Sequence, residues 1–296
     1  MKIYQPEGLN ELGDRAKNDD YVFPQLRQRS ERDNLFIVCD GVGGQKNGEI
    51  ASRLVGDSLA SFFKRQPITN ELDPAGYLNA ALVFANQQME QYLQNHPESR
   101  GMGSTVSLLY LGKNVVWIGW AGDSRVYHIR DGEIKYRTKD HSLVENLLRL
   151  GEIREDEVAT HPQRNVITRY IDGLKKKVSL ETHLIQDIKA NDFFLLCTDG
   201  VLENLREAQI QGWFKITNSV AMVKNLIQEQ AANNTQDNYS FYLVKIKAPP
   251  SASGSRLKNL WKFFKRKVSF LMRYRQGRAG LLIIALMRYL YLSANF

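Results

Sequence analysis

At 296 residues, with 43% hydrophobic and 24% charged residues, the chain reads as a globular protein with a sizeable core, not a disordered or membrane-embedded one. Its formal charge of +8 is concentrated at one end: residues 248–296 carry ten Lys/Arg and no acid, leaving 30 basic against 32 acidic residues in 1–247. A slightly acidic body argues against nucleic acid as its ligand and makes the basic tail a separate problem.

The N-terminal stretch MKIYQPEGLNELGDR has no apolar run of signal-peptide length, so export is not expected. Residues 36–40 form a short apolar run stopped by Gly41, Gly43 and Gly44, the pattern of a buried strand entering a turn. Residues 49–65 carry Leu54, Val55, Leu59, Phe62 and Phe63 at helical spacing, with Pro67 beyond, and residues 77–93 read as a second helix. Closely spaced strands follow at 105–111, 115–121, 125–130 and 133–138, the last two joined by Asp131-Gly132, a strong hairpin signal. Later strands are expected at 178–185, 193–198 and 239–246, and helices at 143–150, 207–214 and 220–232. Strands in hairpins and helices in pairs favour an α+β fold of antiparallel sheets flanked by helices over a parallel doubly wound sheet. Cys39 and Cys197 each close an apolar run (FIVC, FLLC), as buried core thiols do, which fits a reducing cytosol and no disulfide framework.

The informative feature is a set of aspartates in four separated segments: Asp19-Asp20 (KNDDYVF), Asp40-Gly41 (VCDGVGG), Asp199-Gly200 (CTDGV) and Asp237-Asn238 (QDNYS). Asp40 and Asp199 follow hydrophobic strands directly. A single Asp-Gly is ordinarily a turn. Several that recur at strand ends can converge at one rim of a sheet. A cluster of carboxylates repels itself, so it implies bound cations, and all-oxygen ligation points to Mg²⁺ or Mn²⁺ over zinc.

The segments around these acids carry a resemblance. DRAKNDDYVF, FIVCDGVGGQKNGEIAS, GMGSTVSLLYL, WAGDSRVYHIRDGEI, TKDHS, NVITRYID, FLLCTDGVLENL and QDNYSFYLVKI, spanning residues 13–246, are similar in order and spacing to the motifs of the protein phosphatase 2C family, the metal-dependent serine/threonine phosphatases. The resemblance implies a four-layer sandwich of two antiparallel β-sheets between helical layers. It also implies hydrolysis of phosphoserine and phosphothreonine by direct attack of water, without a phosphoenzyme, and two Mn²⁺ or Mg²⁺ ions with a weaker third. By position it makes Asp40 the carboxylate that bridges both metals and Gly41 the residue whose carbonyl joins their shell. Asp199 and Asp237 become ligands of one metal, and Asp19, with Asp20 behind it, acts on the other through water. Asp123 matches an acid of the third site, and Arg15 the arginine that grips the substrate phosphate. Thr105, Ser124, Asp140, His141, Asn165 and Arg169 lie in family motifs and read as structural.

Three positions depart from the pattern. Asp19 is one methylene shorter than the usual glutamate. Val42 stands where some members carry a histidine proposed as general acid, so the leaving group must take its proton from water. Glu203 stands where an aspartate supporting the third metal is commoner, which puts that site in question. The chemistry needs these residue types: two metals lower the pKa of a water towards about 7 and aim it, while a guanidinium can bind two phosphoryl oxygens at once.

Rival readings are weaker. A cysteine-dependent phosphatase needs an arginine six residues beyond its cysteine, where this chain has Gln45 and Glu203. The histidines (His96, His128, His141, His161, His183) show no pairing at zinc-ligand spacing. A catalytically inactive member serving as a phosphoprotein-binding module would be marked by loss of ligand aspartates, and all four are present. A nucleic-acid-binding reading rests only on the tail.

Residues 1–247 therefore read as the phosphatase domain, 248–255 as a linker and 256–296 as a basic, aromatic and apolar tail. In the tail, Trp261, Phe263, Phe264 and Phe270 interleave with basic residues, and an apolar run at 279–287 is cut by Arg288, short of a membrane span. This pattern is expected of an interfacial anchor on an anionic membrane surface, with docking to a partner protein as the alternative. The expected setting is the cytoplasm, the substrates phosphorylated proteins and the natural partner a cognate kinase.

Overall fold

The computed structural model describes residues 1–43, 47–174, 178–203 and 205–249. Most of the expected linker and the whole basic tail, with its apolar run at 279–287, lie outside the described residues.

The apolar runs become strands because their side chains can be buried on both faces of a covered sheet. In chain order the first half holds β1 (Lys2–Ile3), β2 (Glu7–Glu11), β3 (Asp20–Phe23), β4 (Leu35–Val42), α1 (Gly48–Arg65) and α2 (Pro74–Asn95). A strand-rich middle follows: β5 (Gly103–Ser104), β6 (Val106–Leu111), β7 (Val116–Ala121), β8 (Arg125–Arg130) and β9 (Glu133–Arg137). The remainder is α3 (Leu143–Leu150), β10 (Glu181–Ile185), β11 (Phe193–Cys197), α4 (Asp199–Leu202), α5 (Glu207–Ile216), α6 (Val220–Asn234) and β12 (Tyr239–Ala248).

Two antiparallel sheets result. One runs β1-β12-β11-β8-β9 with β2 also on β12, the other β10-β7-β6-β4-β3 with β5 on β4. Side chains alternate along each strand, so the longer central strands feed two cores. Phe36 and Val38 of β4 meet Phe194, Leu196, Tyr242 and Val244 between the sheets. Ile37 and Cys39 face the other way, onto Ala51, Val55 and Leu59 of α1 and Leu78, Leu82 and Ala85 of α2. On the far side, Leu195, Cys197, Phe241 and Leu243 pack with Ile210 and Phe214 of α5 and Val223 and Ile227 of α6. The order helices, sheet, sheet, helices is the four-layer sandwich expected from the sequence. Met1–Pro250 forms one compact unit.

The hairpin at Asp131-Gly132 forms with both residues at positive φ (53° and 74°), as a two-residue turn of this hand requires. Two features differ from the reading of the sequence. The strand expected over 178–185 pairs only from Glu181. The short strands β1, β2 and β3 carried no periodic signal of their own: β1 and β2 take their hydrogen bonds from β12, and β3 from β4.

Candidate active site

Both sheets deliver acids to the same place. Asp20 opens β3 and stands directly opposite Asp40 of β4 in the ladder. Asp199 follows β11 as the first residue of α4, and Asp237 precedes the neighbouring strand β12. Asp123 lies in the turn from β7 to β8, strands that belong to different sheets. Burial, and then Asp199, Asp20, Asp123 and Asp237 in that order, push the Asp40 carboxyl well above the ordinary carboxylate value. That influence places the five acids in one electrostatic neighbourhood. Asp20 is pushed up to about 8, chiefly by burial, although the Thr198 hydroxyl donates to its Oδ2 at 3.0 Å. Asp123 is raised by burial and then by Asp199 and Asp140, and Asp199 by burial and then by Asp237.

The backbone around these acids is held closely. The Asp40 N–H donates to Thr105 Oγ1 at 2.9 Å, and Thr105 N–H donates back to the Asp40 carbonyl at 2.8 Å. Thr105 Oγ1 also lies 2.7 Å from Ser124 Oγ, tying the Asp40 strand to the Asp123 turn. That turn is braced again where Gly122 N–H donates to His141 Nδ1 (3.1 Å), while His141 Nε2 sits 3.0 Å from Glu181 Oε2. Arg125 grips Asp140 through two bonds of 2.7 and 2.6 Å. Gly41 must be glycine for reasons of space: its N–H donates to the Asp19 carbonyl at 3.0 Å, and a Cβ there would overlap the carbonyl oxygens of Gly48 and Asp19. Asp19 Oδ1 accepts the Glu49 N–H at 3.0 Å, so this carboxylate sits at the positive end of α1. Arg15, more than half exposed, donates from Nη2 to Asp237 Oδ2 at 2.8 Å, and its guanidinium is raised by that bond.

Among the described residues no three of these side chains form a ready-made coordination shell. Their carboxylates are instead engaged separately, Asp237 by Arg15 and the Asn238 N–H, Asp19 by the Glu49 N–H and Asp20 by Thr198. The donor set nevertheless fits a divalent cation. Asp123 Oδ1 is buried with no hydrogen-bond partner, and the carboxyls of Asp20, Asp40, Asp123 and Asp199 all resist ionisation. Hard oxygen ligands carrying uncompensated charge are what Mg²⁺ or Mn²⁺ neutralises.

Every acid singled out in the sequence reaches this region, as does Arg15. Asn165 is exposed, and Arg169 lies 3.9 Å from Glu181, the partner of His141. Glu203 is close enough to help raise Asp199, and its Oε2 accepts from Thr235 Oγ1 (2.9 Å) and from the Gln236 N–H (3.1 Å), bracing the turn that presents Asp237. Sequence reasoning missed Thr198, the partner of Asp20, and Asn238, whose side chain bonds across to the Arg15 segment. The only sequence signal for Asn238 was its place beside Asp237.

The architecture and the acidic rim define the class: two antiparallel sheets between helical layers, with carboxylates from both sheets gathered at one rim. Residues 8–236 match the family model described as protein phosphatase 2C, and the chain belongs to that family. The serine/threonine protein phosphatase PstP of Mycobacterium tuberculosis is 30% identical over 232 residues, 78% of this chain. The chain spans 43% of that relative's length. The serine/threonine phosphatase stp of Listeria welshimeri is 28% identical over 221 residues, covering 74% of this chain and 86% of its own. Among solved structures, the PstP catalytic domain in complex with two manganese ions superposes with a TM-score of 0.71 at 26% identity, covering 83% of this chain and all of that one.

Proposed function

We propose that this chain hydrolyses phosphoserine and phosphothreonine in phosphorylated proteins by direct attack of water, using two divalent cations, Mn²⁺ or Mg²⁺, and a weaker third. The observation that carries the reading is the gathering of Asp20, Asp40, Asp123, Asp199 and Asp237 into one neighbourhood, where burial and then neighbouring acids oppose ionisation of the first four. The relatives named serine/threonine phosphatase support the activity, and the two manganese ions of the PstP domain support the cofactor.

In this reading Asp40 would serve both metals with the Gly41 carbonyl joining their shell, Asp199 and Asp237 would hold one of them, and Asp19, backed by Asp20, would act on the other through water. Asp123 serves the third site. When bound, the cation pair supplies charge neutralisation for the phosphoryl group and a lowered pKa for the attacking water. Thr105 and Ser124 keep Asp40 and Asp123 in register by the bonds described above. Arg15 sits at the mouth, exposed enough to meet a phosphate on a protein surface, and its fork can take two phosphoryl oxygens when it leaves Asp237. Val42 carries no proton, so the leaving oxygen takes one from water.

Residues 1–247 would carry this chemistry, with 248–255 as linker and 256–296 as a tail that holds the protein at an anionic membrane surface of the cytoplasm. No described helix is long and apolar enough to cross a membrane. A cognate serine/threonine kinase supplies the phosphorylated substrates. The test is hydrolysis of p-nitrophenyl phosphate and of phosphothreonine peptides with and without Mn²⁺ or Mg²⁺. Activity is expected only with metal, and EDTA is expected to abolish it. Full turnover in metal-free buffer would sink the mechanism, and peptide binding without turnover would favour the inactive-module alternative.

A further inference from the structure

Between β2 and β3, residues 12–19 form an excursion outside both sheets, and it contains two residues of the candidate site, Arg15 and Asp19. Three hydrogen bonds that tie it to the body run to one side chain. Asn238 Nδ2 donates to the Leu12 carbonyl at 2.7 Å and to the Lys17 carbonyl at 2.9 Å, and Asn238 Oδ1 accepts the Asp19 N–H at 2.8 Å. Asn238 is only 6% exposed. Its carboxamide has two donor hydrogens and both are used. Its orientation is therefore fixed by its partners, since an oxygen turned toward the two carbonyls would find no hydrogen there.

The same residue holds the other side of the site. The Asn238 N–H donates to Asp237 Oδ1 at 2.8 Å, while Asp237 Oδ2 takes Arg15 at 2.8 Å. The Leu12 carbonyl bound by Asn238 is also the acceptor for the Arg15 N–H at 3.4 Å, so the side chain reaches the turn that carries Arg15. Gly13 completes the fit: it has φ +58°, and a Cβ on it would overlap the Asp237 carbonyl oxygen. The loop therefore lies directly on the Asp237-Asn238 backbone.

We infer that Asn238 is a positioning residue for the phosphatase reaction, its carboxamide setting where Arg15 and Asp19 stand relative to Asp237. Its hydrogen bonds are all spent on the protein, so it acts through those residues and not on the phosphate. The inference rests on the phosphatase reading above. Asn238→Ala removes all three side-chain bonds. Asn238→Asp keeps the shape and the acceptor for Asp19 but sets a carboxylate oxygen against two carbonyls.

The experiment is a double-mutant cycle on the full chain with a phosphothreonine peptide and saturating Mn²⁺, read as KM and kcat, with calorimetric Mn²⁺ titration of each protein. Arg15→Ala and Asn238→Ala are each expected to raise KM about tenfold, and the double variant to be little worse than either single one. Mn²⁺ binding is expected to weaken several-fold in both Asn238 variants. In the wild-type protein the Asp19 amide is expected to exchange hydrogen as slowly as the β3–β4 ladder amides. KM rises that multiply in the double variant overturn the inference, as do folded Asn238 variants with wild-type KM and Mn²⁺ affinity. Fast exchange at Asp19 in wild type overturns it too, and decides the matter if the variants fail to fold. A wild-type protein without metal-dependent hydrolysis would instead overturn the reading beneath it.

Discussion

Asp20→Asn is expected to make the metal-free protein more stable while damaging its activity. Asp20 is buried and its carboxyl is pushed up to about 8 in the fold, chiefly by burial and then by Asp199, against 3.8 for the ordinary group. Because the folded value lies above the unfolded one, the stability tied to the protonated form is full below about pH 4 and is lost as pH rises through about 8. Near pH 7, holding one carboxyl protonated costs about 1.4 kcal/mol for each pH unit above its unfolded value, or about 4 kcal/mol if Asp20 bore it alone. The neighbouring acids share that repulsion, so removing one carboxyl is expected to recover about 2 kcal/mol. Asparagine keeps an oxygen to accept from Thr198, so the hydrogen bond at that position is not lost. For a body of this size the gain corresponds to a rise in Tm of about 4–8 °C. Thermal unfolding by circular dichroism in EDTA measures it. The rise is expected near pH 7 and is expected to vanish by about pH 3, below the unfolded value, where the wild-type carboxyl is protonated in both states. With Mn²⁺ the order is expected to reverse, since the wild-type protein gains binding free energy that the variant lacks. A variant no more stable than wild type in EDTA near pH 7, or favoured equally at both pH values, refutes the reasoning.

On the proposed assignment Asp40→Asn and Asp199→Asn each remove a ligand charge, so turnover is expected to fall by orders of magnitude with folding retained; near-normal turnover in Asp40→Asn would remove its bridging role. Arg15→Ala is expected to raise KM more than it lowers kcat, as measured with phosphopeptides. Cysteine alkylation is expected to leave activity intact, because Cys39 and Cys197 are fully buried and burial pushes both thiols up, Cys197 to about 12. For the tail, the full chain is expected to co-sediment with anionic vesicles, less so as salt rises, while a protein ending at Lys247 is expected to stay in the supernatant and keep its metal-dependent activity. Equal sedimentation of the two, or none by the full chain, favours docking to a partner protein.

The parts of the fold legible in the sequence are those in which a strand or helix buries its own pattern. FIVCD and FLLCTD are apolar runs ended by an acid, so both the strands and the acids at their ends could be read directly. The helical spacing of Val55 and Leu59 and the Asp131-Gly132 turn were equally local signals. β1 and β2 were not legible because their order comes from β12, more than 200 residues away in the chain. The acids of the site were visible as residues, but their environment was not. Nothing local shows that Asp19 takes an amide at the start of α1, or that Glu203 braces the Asp237 turn. Asn238 is the clearest case. Beside Asp237 it reads as half of a turn dipeptide, and its three partners lie about 220 residues earlier.

Those long-range bonds also explain how so many acids are held together. Without a cation, each carboxylate at the edge of the cluster has its own donor: Arg15 for Asp237 and the Glu49 N–H for Asp19. The deeper ones, Asp20, Asp40, Asp123 and Asp199, resist ionisation instead. The outer pairs are half-exposed and charge-assisted, so their donors can be given up at modest cost. The inner carboxyls favour whatever brings positive charge, since loss of their protons and arrival of a cation are linked. Arg15 stands at the junction of the two groups. The guanidinium offsets Asp237 in the free protein; a cation held there would offset that charge instead and would leave Arg15 available to phosphate, coupling metal filling to readiness for substrate.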